Sequence, residues 1–105
     1  MHLDDGSSLI AHLTTIGRQS GVPRTVELRL LYAAGNFYAT SSRIQGKHWC
    51  QNMINNPAVE ITTQGKKLPC LARRVTDEAL RQRILRLRGT PPELHRVVFE
   101  IVPRI

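Results

Sequence analysis

The run densest in residues able to do chemistry is Leu13-Thr14-Thr15-Ile16-Gly17-Arg18-Gln19-Ser20-Gly21-Val22-Pro23-Arg24. Gly17 and Gly21 frame a tight turn and permit dihedrals closed to other residues. Such a turn can aim backbone amides at an anion and surround it with Arg18, Ser20 and Arg24. The same residues also suit an ordinary β-turn carrying two exposed arginines. The pattern is neither a Walker motif nor a dinucleotide fingerprint, because its glycine spacing differs and no long helix follows. A second run extends from Thr40 to Asn52. Its three hydroxyls, Thr40, Ser41 and Ser42, close a predicted strand, and Arg43 and Lys47 stand near a predicted helix start, where free amides favour phosphate. Trp49 can cover a ring or belong to the core, and Asn52 can hold a carbonyl or cap a loop. His48 is expected to be exposed.

Other chemistries find little support. No Ser-His-Asp or Cys-His arrangement is visible in the order of residues. Only eight Asp and Glu are present, which disfavours a paired-carboxylate hydrolase, and Glu27 and Glu60 read as outward strand residues. No catalytic residue is assigned. Cys50 and Cys70 have neither CxxC spacing nor a Cys/His cluster around them, so neither a metal site nor a disulfide is expected, and neither thiol is expected to be catalytic. Twelve of the fifteen basic residues are Arg, and the net charge is +7 with His neutral. That balance fits a polyanionic partner: nucleic acid, an acidic membrane or a phosphorylated cofactor. Arg grips phosphate with a planar fork of donors. Nucleic acid is the weaker expectation, since the few aromatics are not interleaved with the arginines. No apolar run is long enough to span a membrane, and the first eight residues do not read as a signal peptide, so a cytoplasmic protein is expected.

The elements that must position these residues follow from periodicity. The length of 105 residues suggests one domain, with residues 1–8 as a flexible tail. Strands are predicted over 9–15, 24–33, 37–41, 58–62, 67–75 and 97–102. In the second of these, Val26, Leu28 and Leu30 fall on one face and Thr25, Glu27 and Arg29 on the other. A helix is predicted over 46–55, stopped by Asn56-Pro57. Another spans 77–88, with Leu80, Ile84 and Leu87 as its apolar stripe and its arginines on a solvated face. Pro69 suggests an edge position or a bulge. Six short strands joined by hairpins, with two helices, predict a mainly β, antiparallel barrel. A domain this small has limited core, so a homodimer is expected.

The segment Leu13 to Arg24, the hydroxyl-rich strand end, Trp49 and Asn52, and then Asn56-Pro57-Ala58-Val59 together resemble the deazaflavin-dependent nitroreductase family. That family lies within the flavin-binding split β-barrels, with the pyridoxamine-phosphate oxidase group. The match covers roughly Leu9 to Val75. The resemblance implies a six-stranded antiparallel split β-barrel, often dimeric, that uses reduced coenzyme F420, or FMN in related barrels, to pass hydride to a quinone, nitro or enone-type acceptor. It also implies that Arg24, Ser41, Ser42 and Lys47 surround the cofactor phosphate and that the Trp49–Asn52 helix flanks the pocket. Arg18, Ser20 and Thr40 complete the expected cofactor-binding set. Two departures stand out. The loop before Trp49 is compressed to Arg43-Ile44-Gln45-Gly46, and the tail has no tyrosine. The alternatives are a non-catalytic flavin- or deazaflavin-binding protein and a basic nucleic-acid-binding barrel.

Overall fold

The computed structural model describes residues 3–89 and 96–104. Strands β1 (Ser7–Ile16), β2 (Pro23–Ala33) and β3 (Asn36–Ser41) are followed by helix α1 (His48–Asn55). Then come β4 (Ala58–Thr63), β5 (Lys66–Arg74), helix α2 (Glu78–Leu87) and β6 (Val97–Pro103). Ala34-Gly35 and Gln64-Gly65 turn their hairpins with positive φ at both positions, 53° and 82°, then 52° and 73°. This backbone matches the twist of the flanking strands.

The strands close in the order β1-β2-β3-β6-β5-β4, every neighbour antiparallel, with His12↔Thr62 and Leu13↔Ile61 sealing β1 to β4. The result is the mainly β, two-helix split-barrel architecture expected from the sequence. Alternate residues of each strand point inward, so Leu13, Leu30, Phe37, Ile61, Phe99 and Ile101 fill the interior. Helix α1 packs against β1 and β5 and adds Cys50 and Met53 to that core.

A second core lies on the outer surface, where Ile84 and Leu85 of α2 meet Leu31, Ala33, Tyr38, Val75 and Val98. This layer corrects two expectations. The alternation of β2 ends at Leu30-Leu31, because α2 buries the outward residues Leu31 and Ala33 as well. The buried face of α2 is Arg81, Ile84 and Leu85, with Leu80 partly buried, while Leu87 is 43% exposed. The helix is rotated from the expected stripe, so Arg81 is not solvated. It pairs with Glu78, its Nη2 2.6 Å from Oε1, and its Nη1 donates to the Arg96 carbonyl at 3.0 Å.

Three further corrections are local. Ser7 and Ser8, assigned to a flexible tail, open β1 opposite Tyr32 and Leu31, and the Gly6 amide donates to the Tyr32 carbonyl. Helix α1 begins at His48 rather than Gly46, since Gly46 has φ +76° in the preceding turn. Pro69 lies inside the closed sheet, opposite Glu60, and not at an edge. Its carbonyl accepts from the Arg104 amide at 2.8 Å. A strand residue's N–H and C=O point to the same neighbour, so the donor that Pro69 lacks faces the chain just past the end of β6.

Candidate functional site

The β1–β2 turn is held by its own backbone. The Gly17 amide donates to the Val22 carbonyl at 2.9 Å, the Gly21 amide to the Gly17 carbonyl at 2.8 Å, and the Val22 amide to Ser20 Oγ at 3.1 Å. Gly17 is needed for space, since a Cβ there would lie 2.7 Å from Ser20 Oγ and 3.2 Å from the Val22 carbonyl. Ser20 therefore braces the turn while remaining exposed.

Asn52 ties this turn to α1. Its buried side chain donates from Nδ2 to Thr15 Oγ1 at 3.1 Å. Its Oδ1 accepts from the Arg18 amide at 3.2 Å and from Arg18 Nη1 at 3.0 Å. Arg18 Nη2 lies 3.4 Å from His48 Nδ1. One buried amide thus fixes both the backbone and the guanidinium of Arg18. Of the two roles open to Asn52, it takes a form of the loop-holding one.

Between the turn and α1 lies a cleft of about 620 Å³. One wall is apolar, made by Pro23, Val26 and Trp49. The Trp49 ring meets Phe99 of the core edge-on, with centroids 6.2 Å apart at 61°, so it serves core and cleft at once. The cleft is also lined by Arg18, Arg24 and the exposed His48, and no Asp or Glu lines it among the described residues. Arg24 has no hydrogen-bond or ion-pair partner among the described residues. Its position is fixed by strand pairing opposite Thr15. A cleft of this size with an apolar wall and a few polar groups can admit a small molecule, and its cations would favour an anionic one.

Five of the expected residues, Arg18, Ser20, Arg24, Trp49 and Asn52, therefore meet at one place. The other four do not line it. Ser41 is buried and hydrogen-bonded to its own loop, donating to the Arg43 carbonyl at 2.6 Å. Ser42 is exposed beside it. Lys47 is the N-cap of α1 and gives no side-chain cap. Thr40 points to the outer face, where Arg88 donates to its hydroxyl. Pro23, at the end of the glycine turn, Val26 and His48, expected only to be exposed, also line the cleft. Val26 was legible only as an inward strand residue, and at the barrel mouth an inward residue faces the cleft.

Neither cysteine enters the cleft. Burial pushes each thiol up to about 11, which leaves almost no thiolate at neutral pH. Beyond the cleft, a ladder crosses three strands: Tyr38 donates to Glu100 at 2.7 Å and Arg73 Nε to the same carboxylate at 2.7 Å. Burial, then the Glu100 bond, raises the Tyr38 phenol. This network satisfies a buried Glu, and none of its three residues lines the cleft. Among the described residues no group of His, Cys, Asp and Glu is arranged to hold a metal, and no helix is long and apolar enough to cross a membrane.

A closed six-stranded barrel with a cationic, aromatic-walled cleft under a short helix defines a split-barrel protein of the pyridoxamine-phosphate oxidase-like type. The chain belongs to the F420H(2)-dependent quinone reductase family, whose model matches residues 4–93. Solved structures agree. An F420-H2 dependent reductase is 27% identical over 96% of this chain and 98% of that one, with a TM-score of 0.68. A pyridoxamine 5'-phosphate oxidase homologue from Listeria innocua is 21% identical over 91% and 84%, with a TM-score of 0.71. A domain-swapped dimer is 25% identical over 97% and 84%, with a TM-score of 0.67. No curated protein matches the chain. Membership of this family makes the chain a cofactor-binding oxidoreductase in general terms.

Proposed function

We propose that the cleft holds reduced coenzyme F420, with FMN as the related alternative, and that the protein passes hydride from it to a small quinone, nitro or enone-type acceptor. The observation that carries this reading is the pairing of a fixed aromatic wall with two arginines in one cleft, with no acid lining it among the described residues. A bound deazaflavin supplies the hydride chemistry itself. The chain's own residues bind and orient. Trp49 and Val26 offer an apolar surface to a ring, and Phe99 keeps the Trp49 ring in place. Asn52 holds the Arg18 fork in one orientation, so that little side-chain freedom is lost on meeting an anion. Of the two cleft arginines, Arg24 is the one whose side chain has no partner among the described residues, which leaves it available to a phosphate or carboxylate. Lys47, Thr40, Ser41 and Ser42 stay proposed contacts of lower weight, because they do not line the cleft.

A homodimer in the cytoplasm is part of the same proposal. Leu71 and Ile54 are large, apolar and 40% and 55% exposed, and a second copy is a natural cover for them. Sedimentation of the purified chain should then give twice 11.9 kDa. The functional test is turnover: purified protein with reduced F420 and a quinone should oxidise the coenzyme, followed by its visible absorbance. Tight binding of an oligonucleotide with no F420 or FMN binding would replace this reading with the nucleic-acid one.

A further inference from the structure

A second group of arginines lies on the outer face of the barrel. Arg88, just past the end of α2, donates through Nη1 to the Thr40 hydroxyl, and Arg96, just before β6, holds Nη2 3.4 Å from the same oxygen. The β2–β3 pairing ends at Leu31↔Tyr38, two residues short of Arg29 on β2 and Thr40 on β3, and the charge of Arg29 acts on Arg88. Arg29 donates to another neutral group, the Ser8 hydroxyl, at 3.3 Å. None of the three arginines meets a carboxylate among the described residues. The Nε of Arg96 is buried with no hydrogen-bond partner among the described residues. Burial, then Arg96, then Arg29 hold the Arg88 guanidinium below its usual pKa. Two other arginines meet acid, the buried Arg81 with Glu78 and the exposed Arg73 with Glu100. Here three like charges converge on neutral oxygens instead.

We propose that Arg29, Thr40, Arg88 and Arg96 form a second anion site that takes a phosphate-class dianion. The chemistry suits a tetrahedral oxyanion. Guanidinium forks match its oxygens in pairs, and the Thr40 hydroxyl, which accepts from arginine, keeps its own proton to donate. The site is separate from the cleft and does not rest on the cleft's assignment. Arg24 and Arg29 are five residues apart on β2, roughly 16 Å along the strand, with side chains on opposite faces. One small phosphate cannot touch both. Free phosphate and the terminal group of a phosphomonoester share the recognised chemistry.

The test is calorimetric titration of the purified chain with inorganic phosphate and with glycerol phosphate, at ionic strength held constant with chloride. Wild type is expected to bind phosphate saturably. Arg29→Gln, at an exposed position that should leave folding intact, is expected to weaken binding about tenfold or more, the loss expected of one charge-assisted hydrogen bond. Arg88→Lys should weaken it less, since charge remains and the fork is lost. Arg83→Ala, at an exposed position of α2, should leave it within about twofold. Equal affinity for both ligands indicates recognition of a terminal phosphoryl group, and preference for inorganic phosphate indicates the free ion; both support the site. Phosphate acting no differently from chloride would overturn it, as would a loss that follows Arg24→Ala and spares Arg29→Gln. Displacement of phosphate by F420 or FMN would overturn the separateness of the site. Phosphate binding by a chain that binds no F420 or FMN would leave this proposal standing and sink the cleft reading alone.

Discussion

The two helices of this barrel are built on different terms. Helix α2 follows local rules closely: Asp77 caps it by accepting from the Ala79 amide, Glu78 stands in its first turn and Arg86 in its last. Helix α1 follows few of them. Lys47 caps it with no side-chain bond, and its first turn has no acid. It is held from outside, by Asn52 reaching Thr15 and Arg18 and by Cys50 and Met53 in the core. The helix that satisfies its own ends seals a core. The helix that depends on tertiary contacts lies beside the cleft, where local rules give way to the proposed binding site.

That contrast can be broken by mutation, and the largest effect should come from α2. Leu85→Ala empties a fully buried position and should cost about 2–5 kcal/mol of stability, read from a denaturant midpoint. Cofactor affinity of the folded variant should stay within a few fold. A large loss of affinity would mean that the two regions act as one.

Asn52→Ala should do both kinds of damage. It strands the buried Thr15 hydroxyl and frees Arg18, for roughly 1–3 kcal/mol of stability together with weaker cofactor binding. Unchanged affinity would show that orienting Arg18 is not what Asn52 contributes.

The smallest effect is the acid limb of α2. The Arg81 guanidinium, then Gln82, hold the Glu78 carboxyl down to about 2 from its ordinary 4.5. A depressed acid stabilises the fold above its unfolded value and loses that contribution as pH falls from about 4.5 through about 2. Glu78 is a surface group, so the effect should be modest and reduced by salt. Melting temperatures across that window should fall less for Glu78→Gln than for wild type. An identical acid profile in the two proteins would remove Glu78 from the account.

How much of this was legible in the sequence depends on whether a feature is local. The hairpin glycines, the Asn56-Pro57 stop and the alternation of β2 up to Leu30 are short-range signals, and each appears in the fold. The glycine turn with Arg18, Ser20 and Arg24, set beside Trp49 and Asn52, also meets in space. What the sequence obscured depends on a second layer. Leu31 and Ala33 look like a lapse in alternation until α2 covers them. Arg81 and Arg88 look like surface charge until the rotation of α2 turns them inward. They would therefore be poor controls for a binding experiment, and the exposed Arg83 and Arg86 of the same helix are better ones. Thr40 belongs with the strand-end hydroxyls in order of residues, but strand alternation sends it to the opposite face from Ser41.

The central claim is that the cleft beside α1 is an anion-binding cofactor site in which Arg24 supplies a contact and no chemistry. A fluorescence titration of F420 and FMN against wild type, Arg24→Ala, Lys47→Ala, Arg83→Ala and Arg86→Ala tests it most directly. Losing the Arg24 contact should cost about 1.5–3 kcal/mol of binding, a roughly ten- to hundredfold rise in Kd. Stability should stay within about 0.5 kcal/mol, because the side chain is exposed. Turnover at saturating cofactor should be largely kept, since the contact is the same in ground and transition states. Lys47→Ala should lose less, and the two α2 variants almost nothing. Equal losses in all four would mean a diffuse positive field, and an unchanged Kd for Arg24→Ala would contradict the account.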